Sequence, residues 1–142
     1  MLNINTIMEV LPQRYPFLLV DRILEQKYNE YAIGCKNISV NESWSKGHFE
    51  NNPIYPGAMI IESAAQTGGF IFYDESQEEH RIHGLLSSVS NFKFVKTVIP
   101  GDQLIIKTKW VQRLGNIVKI SAKIYVNEER VAEGELTYVL SE

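Results

Sequence analysis

Cysteine is almost absent: Cys35 is the only one in 142 residues, so no intrachain disulfide can form and no cysteine metal cluster can be built. An excess of positive charge is also missing. Fourteen Lys and Arg stand against seventeen Asp and Glu, a net charge of −3, which argues against a phosphate backbone as partner. A local basic patch suited to an acidic protein remains compatible with that balance. No apolar run reaches spanning length; the nearest, Gly57 to Tyr73, is short and holds Glu62 and Gln66. The start, "MLNINTIMEV", lacks a basic region followed by an apolar one, so the expectation is a cytoplasmic protein without a secretory signal. There is no repeat, low-complexity tract or linker. What remains is a chain 44% hydrophobic and 22% charged, the composition of one globular domain over residues 1–142 with a real core.

Periodicity and turn residues divide that domain. Residues 4–11 space their apolar side chains as a short helix, which Pro12 and Pro16 prevent from continuing. "FLLVDRILEQKY" and "YAIGCKNISV" read as two strands turning at Asn29-Glu30. Residues 41–56, rich in Asn, Ser, Gly and Pro, read as a long loop. Pro56 then opens a helix whose small residues, Ala58, Ala64, Ala65, Gly68 and Gly69, allow other backbone to come close. The second half is strand after strand. "GLLSSVSNFKF" leads to a turn at Pro100-Gly101-Asp102, and "QLIIKTKWVQ" turns at Gly115-Asn116. "IVKISAKIYV" alternates strictly, and "RVAEGELTYVL" follows a turn at Asn127-Glu128. The fold class is α+β, an antiparallel sheet wrapped around one central helix.

One carboxyl group breaks the pattern. Glu62 lies among Met59, Ile60, Ile61, Ala64 and Ala65 on the central helix, with Gln66 one turn further on the same face. The pattern alone also suits a surface glutamate or one held by a local hydrogen bond. Burial without a cation would keep this carboxyl protonated and make it a general acid. His48 lies upstream in a loop stiffened by Pro53 and Pro56; alone it suits a surface residue, but it is also a side chain able to accept a proton near neutrality. The first amides of the helix, Gly57 included, have no intrahelical partner and lie at a positive dipole end. A base, an acid and an anion-stabilising helix start thus fall within about twenty residues.

"LPQRYPFLLVDRI", "GHFENNPIYPGAMIIESAAQ" and "FKFVKTVIPGDQL" together resemble the β-hydroxyacyl-acyl carrier protein dehydratases of the FabZ type, in order and spacing from about Ile7 to Leu140. The resemblance implies a hot-dog fold and conversion of a (3R)-3-hydroxyacyl-acyl carrier protein to the trans-2-enoyl form in fatty acid biosynthesis or a related pathway. It implies a homodimer in which His48 of one subunit works with Glu62 of the other, with trimers of such dimers common in the family. His48 would be the base and Glu62 the acid. Gly57 would stabilise the carbonyl oxygen, and Gln66 would orient the carboxyl group. The acyl chain would meet Phe49, Ile54, Met59 and Ile60, with Phe92 and Phe94 equally suited to ordinary core. Arg14, Lys93 and Lys96 are candidate docking charges for the acidic carrier protein and its phosphopantetheine arm. The chemistry requires no metal or organic cofactor.

The chain departs from the family pattern in three places. Gln13 stands where the family usually has His, read here as a change in loop packing. Glu50 replaces a usual Pro beside His48 and adds a negative charge there. "GLLSSVSNFKF" differs where the acyl tunnel is expected, which touches chain-length preference. His80 and His83, three apart but with no further ligand cluster, read as a polar turn. Two other functions fit the same fold: an acyl thioesterase, and a non-catalytic subunit that binds acyl carrier protein.

Overall fold

The structure is a computed structural model describing residues 1–141. Helix α1 spans Ile4–Val10, and the Asn3 side chain caps it by accepting from the amides of Asn5 and Thr6. Strands β1 (Arg22–Lys27) and β2 (Tyr31–Asn37) form the first hairpin, turned by left-handed Asn29. After a short helix α2 (Trp44–Gly47) comes the central helix α3, Gly57–Gly69, running into a 3-10 turn at Phe70–Phe72. Strands β3 (Gly84–Phe94), β4 (Gln103–Leu114), β5 (Ile117–Val126) and β6 (Glu129–Leu140) complete the chain.

The six strands of the described residues join one antiparallel sheet in the order β1-β2-β4-β5-β6-β3. Strands β4, β5 and β6 are successive hairpins, the last turned by Asn127 and Glu128, both left-handed. Strand β3 instead crosses over to pair with β6. The alternation in β5 decides its faces: Val118, Ile120, Ala122 and Ile124 are buried toward the helix, while Lys119, Ser121 and Lys123 point outward. Helix α3 packs on β2, β4 and β5, and its small residues permit the approach. A methyl group on Gly34 would stand 2.9 Å from Thr67 Oγ1. Ala64, Ala65, Gly68 and Gly69 are buried; Ala58, grouped with them above, is exposed.

Two expectations need correction. The first strand begins at Arg22 rather than Phe17, because the backbone of Phe17 and Leu19 is bonded to the Gln66 side chain instead of to a neighbouring strand. The stretch 41–56 is not all loop. Buried Lys36 donates to Glu42 at 2.7 Å, Glu42 accepts from the Ser39 amide, and Ser45 Oγ donates to the carbonyls of Val40 and Glu42. That network pins the turn from which α2 starts.

Strand β3 is an edge strand of eleven residues, and most of them are exposed. Leu85 is 78% exposed, and Leu86, Val89 and Phe94 lie open along the same strand. An open, apolar edge of this length is a surface that folded proteins normally cover.

Candidate active site

Helix α3 carries Glu62 to the wall of a cavity of about 240 Å³. Leu11, Phe72, Ile82, Leu85, Leu86 and Leu140 supply apolar wall, and the polar side chains at its surface are Gln13, Glu62, Gln66 and Tyr138. Glu62 is half-buried, and burial raises its carboxyl pKa; a hydrogen bond from Gln66 opposes the rise without cancelling it. Gln66 Nε2 donates to Glu62 Oε1 at 3.0 Å, the bond that four-residue spacing on one helix face allows. The same nitrogen donates to Phe17 O, and Gln66 Oε1 accepts from the Leu19 amide, each at 2.8 Å. Gln66 is therefore a rigid bracket between the Phe17–Leu19 segment and the carboxyl group.

His48 sits in a loop that closes on itself. Its amide donates to Trp44 O at the end of α2, and the chain then turns through left-handed Phe49. The Ile54 amide donates to His48 O at 3.4 Å, and His48 Nδ1 lies 2.6 Å from Ile54 O. A carbonyl oxygen can only accept, so Nδ1 carries the hydrogen, and the neutral ring presents its lone pair at Nε2. That is the tautomer a general base needs. The Phe49 ring packs 4.3 Å from the imidazole and is 60% exposed.

Within one chain His48 is not among the residues lining the cavity of Glu62. Gly57, Phe49, Ile54 and Met59 do not line it either, whereas Gln66 does. Gly57 instead underlies the Phe94 ring, where a methyl group would meet Cζ at 3.0 Å. Ile60, offered above as acyl wall, is 3% exposed in the core, and Phe92, partly buried, packs on Gly134. Arg14 donates to the carbonyls of Met8, Leu11 and Gln13, and Lys96 is paired with Glu129 at 2.6 Å. Lys93 is exposed on β3, opposite Glu133. His80 packs against the Tyr73 ring, and no group of three metal-binding side chains exists among the described residues.

Sequence reasoning missed two of the polar members of the cavity. Gln13, treated above as a packing change, lines the same cavity as Glu62. Tyr138 also lines it and donates to Ala65 O at 2.6 Å, tying β6 to α3. No local signal marks Tyr138, which is one residue in an alternating strand. Gln13 was visible as a departure from pattern, but its direction was not.

Residues 11–135 match the FabA-like domain family. The 3-hydroxyacyl-acyl-carrier-protein dehydratase FabZ of Syntrophomonas wolfei is 43% identical, over 98% of this chain and 96% of that protein. That of Syntrophobacter fumaroxidans is 45% identical over 95% and 91%. Among solved structures, a chain of the dehydratase heterocomplex ApeI:P from Xenorhabdus doucetiae superposes with a TM-score of 0.76, covering 96% of this chain and 91% of its own, at 16% identity. A hypothetical thioesterase with coenzyme A from Streptococcus pneumoniae superposes at 0.63, 84% of each chain, at 15% identity. At such identities these two establish the hot-dog architecture alone. Together with the near full-length relatives, the FabA-like match establishes that this chain belongs to the FabZ family of dehydratases.

Proposed function

We propose that this protein removes water from 3-hydroxyacyl-acyl carrier protein to give the 2-enoyl thioester, as a lyase of fatty acid biosynthesis. The observation that carries the reading is a half-buried carboxyl group, its pKa raised by burial, fixed by Gln66 at the wall of a largely apolar cavity. A proton-bearing carboxyl in such a place is suited to protonate a leaving hydroxyl.

His48 Nε2 takes the C2 proton, which the thioester carbonyl makes acidic. The electrons of that C–H bond form the C2=C3 double bond as the C3–O bond breaks. Charge developing on the thioester oxygen is stabilised by the Gly57 amide at the start of α3, where backbone N–H groups lack intrahelical partners. Glu62 delivers its proton to the departing hydroxyl, which leaves as water. The cycle closes when the proton on His48 is lost and Glu62 regains one. The substrate arrives on the phosphopantetheine arm of acyl carrier protein, for which Arg14, Lys93 and Lys96 are the docking charges we propose.

Because His48 and Glu62 do not share a cavity within one chain, we infer that the working unit is a dimer whose two sites each combine His48 of one subunit with Glu62 of the other. The open edge of β3, with Leu85, Leu86, Val89 and Phe94 exposed, supports pairing of two sheets there. Three such dimers would form the hexamer.

The test is incubation with 3-hydroxyacyl carrier protein over a chain-length series. Appearance of the conjugated enoyl thioester absorbance supports the dehydratase; release of free thiol would point to a thioesterase, and carrier binding without either product to a non-catalytic subunit. His48→Ala and Glu62→Ala should each abolish turnover in a folded oligomer. Mixed subunits of the two variants should regain activity, and verified heterodimers that stay inactive would refute the shared site.

A further inference from the structure

The polar groups of the Glu62 cavity are nearly all spoken for. Gln66 uses its oxygen on Leu19 and its nitrogen on Phe17 and Glu62. Tyr138 gives its proton to Ala65 O. Glu62 Oε1 accepts from Gln66. Two acceptors are left over: the second oxygen of Glu62, which the acid chemistry uses, and the side-chain oxygen of Gln13. The latter is closed off from solvent and has no hydrogen-bond donor. The Gln13 backbone, by contrast, is held firmly: Gln13 O accepts from Arg14, whose guanidinium also binds Leu11 O and Met8 O. A fixed backbone thus places an unsatisfied amide at the edge of the cavity that holds the general acid. Leaving a buried acceptor without a donor is unfavourable, so such a group is suited to meet a donor that arrives from outside.

The substrate brings one. A hydroxyl has one hydrogen to donate and lone pairs to accept with. In the elimination described above, Glu62 uses a lone pair of the 3-hydroxyl, and the hydroxyl's own hydrogen is left without a partner inside an apolar wall. Gln13 is a lining side chain whose buried oxygen no protein group satisfies. Its terminal torsion joins an sp³ to an sp² carbon and is broad, so the oxygen can turn toward the cavity while the backbone stays still.

Resting on the dehydratase reading, we propose that Gln13 is a substrate-positioning residue: its side-chain carbonyl accepts the hydrogen of the 3-hydroxyl and holds that oxygen with a lone pair facing Glu62. The contact exists with the hydroxyacyl substrate and vanishes with the enoyl product, which carries no hydroxyl. Gln13 therefore discriminates between the two, favouring entry of one and departure of the other.

The experiment compares wild type with Gln13→Met, which keeps length and removes the acceptor, and Gln13→Asn, which withdraws it. The probes are 3-hydroxybutanoyl and butanoyl pantetheine amides, whose C2 protons are too weakly acidic for elimination. Wild type should bind the hydroxy compound roughly 10-fold more tightly than the deoxy compound. Both variants should lose that preference while binding the deoxy compound as wild type does. Their kcat/KM for the hydroxyacyl thioester should fall roughly 10- to 100-fold. A wild type without hydroxyl preference, or variants that weaken both compounds equally, would overturn the proposal, since a purely structural role moves both alike. Wild type that dehydrates normally while Gln13→Met keeps the preference refutes only this contact; wild type that dehydrates nothing refutes the function it rests on.

Discussion

Gly68 and Gly69 are neighbours near the end of α3, and replacing each with alanine should change stability in opposite directions. Helix propensity alone treats them alike, giving about 1 kcal/mol to either substitution. Packing separates them. A methyl group on Gly68 would overlap Ile120 Cδ1 and stand 2.5 Å from the Tyr138 hydroxyl. Both neighbours are buried, and the hydroxyl is held by its bond to Ala65 O. Forcing extra volume into a packed core costs about 1–3 kcal/mol, and losing a buried hydrogen bond costs about 1–3 more. Set against the helical gain, Gly68→Ala should lose about 1–5 kcal/mol. A methyl group on Gly69 meets only Leu11 Cδ2 at 3.7 Å, an ordinary contact, so Gly69→Ala keeps most of its gain. At one fixed protein concentration, Tm should fall by roughly 3–15 °C for Gly68→Ala and rise by about 1–3 °C for Gly69→Ala. A Gly68→Ala protein as stable as wild type would refute the close packing of β5 and β6 on the helix, and with it the placement of Tyr138 in the cavity.

Glu62→Gln should lower kcat roughly 10²- to 10⁴-fold while stabilising the protein in mild alkali. Burial raises the folded-state pKa of Glu62, so the native protein holds this proton more tightly than the unfolded chain does. Its contribution is complete below the ordinary carboxylate pKa and is lost as pH rises through the folded value. The Tm advantage of Glu62→Gln over wild type should therefore grow as pH rises above the ordinary carboxylate range, by thermal denaturation; an advantage that shrinks would contradict the burial. In wild type, for the same reason, the alkaline limb of the kcat/KM profile assigned to Glu62 should lie above the ordinary carboxylate range. Gln66→Leu frees both the carboxyl group and the Phe17–Leu19 segment, and should reduce kcat and lower Tm together, whereas a variant with unchanged kcat would show that the bracket is dispensable.

How far the sequence could be read depended on how local each pattern is. Alternation placed β5 at its observed limits, and the Pro-Gly, Gly-Asn and Asn-Glu turns fell where expected, because a strand's faces and a turn's dihedrals are set by neighbouring residues. The bond between Glu62 and Gln66 was equally legible, being a matter of helical pitch. The start of β1 was not, since Phe17 and Leu19 give their backbone to a side chain far along the sequence. Nor was the cavity. Its walls come from the segment after α1, from α3, and from the paired ends of β3 and β6, brought together only because β3 crosses to the far side of β6. Local periodicity thus sufficed for the elements, the acid and its bracket. Only the tertiary structure decided that His48 lies outside the cavity of Glu62 and that Gln13 lies within it, because both depend on contacts between segments whose residues carry no mark of one another.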